Sequence, residues 1–379
     1  MMNELNMLIR PFTPSVSVIV PIYNAPLSLK NLITSLASSV PQPLPGLTFQ
    51  FLDDGSPDPA IRSLFTDPFF TRTDVQVETR AENRGFIFTV NEGILKAPAD
   101  ADIVILNSDT EVWTELFSTL QAEAHSDSQI ASVTPLTNNG TIASLFSFPS
   151  GAELPAGLSA RQIAETVAKL QIPSPRVPIP TGVGFCMYLK RTALQAIGLL
   201  DPIYGKGYGE ECDWSRKAVS QGWSHLISTR AFVYHSGTQS FPSETKKLAI
   251  QQNSRILNQR YPEYDVEVAT YVRKDPLWLA RLEISLALLT EDRKNRTPSP
   301  PTDLVITPET SLLLQINHLA QERDQLLNQL AQIGGSESFL FNVMKKVMKV
   351  MAKFKASMDR LPFLKSLLRA IVYSASGKA

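Results

Sequence analysis

Short apolar runs that each end in a polar cluster recur along the N-terminal third of the chain. Val16 to Val20 (VSVIV) is β-branched and closes at Pro21, the pattern of a strand buried on both faces. Thr48 to Leu52 runs straight into Asp53-Asp54-Gly55-Ser56, Val75 to Glu78 forms a third run, and Ile103 to Leu106 ends at Asn107-Ser108-Asp109. Between them, residues 27–38, 61–65 and 85–96 carry helical spacing. Strands alternating with helices at this interval predict an open α/β sheet. Ligands of such sheets gather at the carboxyl ends of the strands, where every one of these polar clusters lies.

From Pro135 to Pro180 the chain is rich in Pro, Ser and Gly around one helical segment, Ala160 to Leu170, with Ser159 as its cap. This stretch reads as a variable insertion. Strand character returns at Thr181 to Leu189. Helices are expected over Ala193–Ile197 and Glu211–Gln221, the second stopped by Gly222, and a strand over Phe232–Tyr234 ends at His235. The spacing places a domain at 14–275, a linker at 276–310, a short coiled-coil-like helix at 311–333 and a basic amphipathic tail at 337–375. The heptad seam runs Leu312, Ile316, Leu319, Arg323, Leu326, Leu330, Ile333 and offers a contact for a homodimer.

Composition narrows the classes. Of 379 residues 43% are hydrophobic, enough for a sizeable core, and Lys+Arg and Asp+Glu both number 36, which gives no overall pull toward nucleic acid. The charge is uneven, with nine basic residues against Asp359 alone from Phe339 onward. That tail suits an anionic membrane surface or the protein's own domain. Two cysteines, Cys186 and Cys212, without metal-type spacing, suggest a reducing compartment. The N-terminus lacks a secretory pattern and no apolar stretch is long enough to span a bilayer, so the expected location is cytoplasmic, peripheral on the inner face of the plasma membrane.

Three constellations hold candidate chemistry. Asp109 follows a strand and His235 follows another, so a carboxylate and an imidazole could share one cation. Against this, an acid after a strand often caps a helix, and Thr110-Glu111 reads as a helical start. Asp53-Asp54-Gly55-Ser56 is equally an ordinary Asx turn. Glu210-Glu211-Cys212-Asp213 opens a helix behind GKGYGE; acids there favour the helix dipole, and crowding raises the proton affinity of at least one, as a general base requires.

Seven segments in order, VSVIVPIYNAP, DDGSPD, ENRGFIFTVNEGILKA, IVILNSDTEV, TGVGFCMYLKRTAL, GLLDPIYGKGYGEECDWSRKAVSQGW and VYHSG, resemble glycosyltransferase family 2, the inverting GT-A transferases, and its bacterial rhamnosyltransferase-type members most. The resemblance implies a GT-A fold, an open mixed sheet flanked by helices with a C-terminal helical appendage. It implies a nucleotide-diphospho-sugar donor, a divalent cation (Mn²⁺ or Mg²⁺), and a saccharide or lipid-linked acceptor of cell-surface polysaccharide synthesis. Pro21 and Tyr23 then resemble the loop flanking the donor base, and Asp53 or Asp54 the acid on the nucleoside. Asn83, Arg84, Asn107 and Ser108 fall near the nucleotide, Asp109 is the last acid of a DxD-type metal motif, and His235 is a further metal ligand. Glu211 aligns with the catalytic base, Glu210 lies beside it, Asp213 is a structural acid, and Trp214 packs behind them. Asn107 stands where that motif has its first acid, so the donor diphosphate must supply more of the coordination. A nucleotidyltransferase would need a basic Gly-rich loop where this chain has PIYNAP. A non-catalytic nucleotide-sugar- or carbohydrate-binding scaffold of the same fold would be expected to lack the acids at 109, 210 and 211.

Overall fold

The computed structural model describes residues 12–295, apart from 147–150, 152, 156, 171, 173–175 and 238–242. The heptad seam and the basic tail lie outside the described residues. Elements follow in the order β1 (Val16–Ile22), α1 (Pro26–Ser39), β2 (Leu47–Asp53), α2 (Pro59–Leu64), β3 (Val75–Thr79), α3 (Phe86–Lys96), β4 (Asp102–Leu106), β5 (Thr110–Val112), α4 (Leu116–Ala124) and β6 (Ile130–Thr137). Then come α5 (Ala160–Lys169), β7 (Arg176–Ile179), β8 (Cys186–Leu189), α6 (Arg191–Ile197), α7 (Glu210–Ser220), β9 (Ser224–His235), α8 (Ser243–Arg260), α9 (Tyr264–Lys274) and α10 (Trp278–Asn295).

Nine strands form one sheet: eight follow the order β3-β2-β1-β4-β8-β6-β9-β5, and β7 pairs with β9 off that path. The first four are mutually parallel, as the βα alternation requires. β8 then runs antiparallel to both β4 and β6, which makes the sheet mixed. Because β1, β2 and β4 are parallel, Tyr23, Asp53-Asp54 and Asn107-Asp109 leave the sheet along one edge. Helix α3 crosses the core so closely that a β-carbon on Gly93 would sit 2.7 Å from Ile19 Cγ2. Around that contact Ile87, Val90, Ile94, Ile103, Met187 and Trp214 share one apolar cluster.

Several expectations need correction. Thr110-Glu111 does not begin a helix: it begins β5, which pairs antiparallel with β9 and sets Thr110 opposite His235. The supposed insertion at 135–180 begins inside β6, buried along its whole length, and ends in β7, so its flanks belong to the sheet. Its helix is as expected, with Ser159 and Gln162 closing a capping box. The strand read over Thr181–Leu189 narrows to β8, whereas β9 is far longer than Phe232–Tyr234. The chain does not turn to linker at residue 276 either. Leu277, Ala280, Ile284 and Leu288 are buried, Arg281 pairs with Asp275 and donates to the Ser144 carbonyl (3.0 Å), and the compact unit extends to Leu288.

Candidate active site

The edge of β2 separates two neighbouring acids by their hydrogen bonds. Gly55 turns the chain with φ 71°, and a β-carbon there would meet Glu82 at 2.7 Å, so only glycine lets the two loops touch. Asp54 is consumed by that contact: its carboxylate accepts the backbone N–H of Arg84 (3.0 Å) and of Gly85 (2.7 Å) and pairs with Arg80 (3.1 Å). Arg80 in turn pairs with Glu92 and donates to Thr89 (2.8 Å), tying the loop to α3. Asp53 accepts only the Ser56 N–H (3.0 Å) on Oδ1, while its buried Oδ2 has no hydrogen-bond partner. Asn83 Oδ1 is buried and unpartnered in the same way. The Arg84 side chain lies over the Phe88 ring. Pro21 and Tyr23, both partly exposed, lie where β1 leaves the sheet, and the Ser56 hydroxyl accepts the Asn24 N–H (2.8 Å).

At the end of β4, Asn107 donates its N–H to the Phe185 carbonyl (2.9 Å) and keeps a buried, unpartnered Oδ1. Ser108 is partly exposed beside it. Asp109 then faces His235 across the β5–β9 pairing, with Oδ1 3.3 Å from Nε2. His235 is held firmly. Its Nδ1–H donates to the Asn139 carbonyl (2.6 Å), Asn138 brackets its backbone with two hydrogen bonds, and its ring stacks on Phe185 (5.4 Å between centroids). With Nδ1 carrying a proton, Nε2 faces the Asp109 carboxylate, and a ring neutral at Nε2 could share a cation with that carboxylate.

Helix α7 supplies the acid pair. The loop before it, with positive φ at Gly205, Gly207, Tyr208 and Gly209, packs on Gly85 and donates nothing to the helix start except backbone. Glu210 is buried and its Oε2 has no partner; burial and then the neighbouring Glu211 raise its proton affinity well above that of an ordinary carboxylate. Glu211 is half-buried, accepts the Gly209 N–H (3.3 Å), and is also raised by burial. A β-carbon on Gly184 would stand 3.8 Å from Glu211 Cδ, which puts Glu211 beside the loop that carries Phe185. The Tyr208 phenol is pushed up by burial and then by the charges of Glu210 and Asp109, so both carboxylates lie within electrostatic reach of one hydroxyl.

Thus Asp109, His235, Glu210 and Glu211 come to one cleft through Phe185, Gly184 and Tyr208. Asp213 faces away into the core. It accepts Tyr204, Tyr261 and Arg260 and pairs with Lys217. Trp214 is buried and donates to the Gly198 carbonyl (2.9 Å), in keeping with core packing. The sequence reading missed Arg80, Phe185, Tyr208 and the Asn138-Asn139 pair. The polar TNNG run closing β6 was the available signal for the last two, and it was absorbed into the supposed insertion. Among the described residues no three His, Cys, Asp or Glu side chains are grouped to hold a metal. The protein thus offers a cation an oxygen and a nitrogen, a donor set suited to Mn²⁺ or Mg²⁺ only when a ligand's phosphates complete the shell.

A parallel half-sheet with acids along its carboxyl edge, an antiparallel extension bearing a His, and an acid pair opening a helix across from them are the arrangement of a GT-A-type fold. Residues 17–198, just under half of the chain, match the profile of glycosyl transferase family 2. Among solved structures, GalNAc-T7 with UDP, GalNAc and Mn²⁺ aligns with a TM-score of 0.51 and 18% identity, over 74% of this chain and 54% of that one. This chain therefore spans about half of GalNAc-T7. The mannosyltransferase PcManGT from Pyrobaculum calidifontis, in complex with GDP-Man and Mn²⁺, aligns at 0.40 and 14% over 97% and 88% of the two chains. TarS 1–349 of S. aureus with UDP-GlcNAc aligns at 0.43 and 16% over 79% and 80%. No curated protein matches the sequence.

Proposed function

We propose that the protein is an inverting, metal-dependent transferase that moves a sugar from a nucleotide diphosphate onto a hydroxyl of a saccharide or lipid-linked acceptor. The observation that carries this reading is that Asp109, paired with His235, and Glu210, beside Glu211, both act electrostatically on the Tyr208 phenol. The unpartnered Asp53 Oδ2 and Asn83 Oδ1 await donors from a base or ribose, which fits them to the nucleoside. Asp54, saturated by protein donors, instead holds the 83–85 loop in place. A divalent cation held by Asp109 and His235 would neutralise the charge that develops on the leaving diphosphate. Glu211 accepts the proton of the acceptor hydroxyl, whose oxygen attacks the anomeric carbon opposite the leaving group; one displacement inverts the configuration. The proton affinity of Glu211, raised by burial, suits a group that accepts a proton during the reaction.

A deoxyhexose of the rhamnose type, transferred on the cytoplasmic face of a membrane during cell-surface polysaccharide synthesis, is the substrate reading that the motif order favours. Among the described residues no helix is long and apolar enough to cross a membrane, and the nine basic residues after Phe339 suit an anionic surface. The test is hydrolysis of UDP-, dTDP- and GDP-sugars with Mn²⁺, Mg²⁺ or chelator. One donor should turn over only with metal, and Glu211→Gln should slow it by about a hundredfold or more. Hydrolysis that persists in chelator, or that survives Glu211→Gln intact, contradicts the proposal.

A further inference from the structure

The imidazole of His235 is oriented by the turn that follows β6. Its Nδ1–H donates to the Asn139 carbonyl (2.6 Å), and because a carbonyl only accepts, that contact decides which ring nitrogen carries the proton. The Asn139 carbonyl and the Gly140 N–H belong to one peptide plane. That N–H donates to the Ser144 hydroxyl (3.1 Å), so the Ser144 side chain sets the tilt of the carbonyl that meets the imidazole. The turn is tight. A β-carbon on Gly140 would collide with Thr137 and lie 3.1 Å from Cε1 of Phe185, whose ring stacks on His235.

Ser144 is itself fixed from outside the turn. Its N–H donates to the Thr141 carbonyl (3.1 Å), it bridges to Thr137 at the end of β6, and its carbonyl accepts Nη1 of Arg281 from α10 (3.0 Å). Ser144, Asp275 and Arg281 are all at most 3% exposed. A buried arginine–aspartate pair often fails to repay its own desolvation, so its presence is poorly explained by stability alone. What the guanidinium adds is direction. One arm pairs with Asp275 and the other reaches the Ser144 carbonyl, which joins the corner between α9 and α10 to the turn. The links run from Arg281 to Ser144, from Ser144 to the 139–140 peptide, and from that peptide to the imidazole.

We propose that Ser144 and Arg281 are positioning residues for His235, holding its ring in the Nδ1–H form so that Nε2 faces Asp109 and the donor's cation. The role rests on the reading of His235 as a metal ligand, which is checked separately. The full chain, labelled with ¹⁵N-histidine and free of metal, reports the tautomer by long-range ¹H–¹⁵N NMR at about pH 8, where histidine is neutral. His235→Ala assigns the signal. His235 should show the Nδ1–H pattern in the wild type and a mixture of both tautomers in Ser144→Ala. Mn²⁺ titrated in the presence of UDP should bind about tenfold more weakly to Ser144→Ala and to Arg281→Lys, as for loss of an outer-shell partner, while UDP affinity without metal stays the same. Ser285→Ala is the control. It removes a buried hydroxyl from the same helix, one without a hydrogen-bond partner among the described residues, and should leave both readouts as in the wild type. Should Arg281→Lys not fold, Ser144→Ala, which removes a single hydroxyl, decides alone. The inference is overturned if His235 keeps the pure Nδ1–H form in Ser144→Ala, if that variant binds Mn²⁺ as tightly as the wild type, or if Ser285→Ala weakens binding equally. A wild type without any UDP-dependent Mn²⁺ site contradicts the metal reading instead, and the tautomer then decides the positioning role.

Discussion

Two adjacent aspartates show how much a single residue's surroundings decide. Asp53 and Asp54 are equivalent in the sequence, and either could face a nucleoside. The structure separates them by hydrogen bonds: Asp54 is spent on Arg84, Gly85 and Arg80, and Asp53 keeps one buried oxygen without a hydrogen-bond partner. Replacing a buried carboxylate that satisfies two backbone N–H groups and a guanidinium leaves all three unpaired. Asp54→Ala should therefore lower stability by about 3 kcal/mol in urea unfolding. Asp53→Asn preserves the Ser56 contact and should leave stability within about 0.5 kcal/mol while weakening UDP binding. Equal stability losses for the two variants would contradict this division. The same reasoning explains why pattern alone left both acids open, since partner choice depends on the 83–85 loop some thirty residues away.

At the scale of elements, the parallel strands were the most legible part of the chain. Continuous β-branched runs such as 16–20 and 103–106 admit few other readings, and their polar ends predicted the cleft. β5 was not legible. Three residues long, it takes its conformation from pairing with β9 rather than from propensity, which is why Thr110-Glu111 resembled a helix start. β6 was lost because Pro135 lies inside it and Asn138-Asn139-Gly140 follows, both ordinary marks of a loop. Helix α7 was found, but its anchoring was not. Asp213 collects Tyr204, Tyr261, Arg260 and Lys217 from three directions and so fixes the helix start that holds Glu210 and Glu211. Arg260 and Lys217 are both about one-third exposed, which screens part of the interaction. Asp213→Ala should cost about 2–3 kcal/mol by chemical denaturation and reduce donor turnover more than donor affinity, because the displaced groups are the acids proposed for catalysis. Turnover unchanged alongside the expected instability would show that α7 keeps its position without this anchor.

For the whole molecule, composition suggested where the domain ends, and packing moved that boundary. The stretch after Asp275 reads as mixed and charged, yet Leu277, Ile284 and Leu288 are buried and Arg281 is enclosed with Asp275. Period and composition cannot distinguish such a helix from a linker, because its apolar face is defined only by the surface that receives it. A chain cut after Asp275 should lose cooperative unfolding or solubility, whereas one cut after Ser336 should keep donor hydrolysis and fail to float with anionic liposomes. Flotation of the shorter chain at the level of the full one would remove the tail from the membrane reading.

All of these scales depend on Asp109 and His235 facing one cation together with the donor diphosphate. Calorimetric titration of Mn²⁺ into the full chain tests that most directly. Without nucleotide the protein's two ligands should give little heat; with UDP present a saturable site should appear, weakened at least about tenfold by Asp109→Asn and by His235→Ala and retained in Glu211→Gln. Tight Mn²⁺ binding without nucleotide, or a UDP-dependent site untouched by either substitution, would contradict the account.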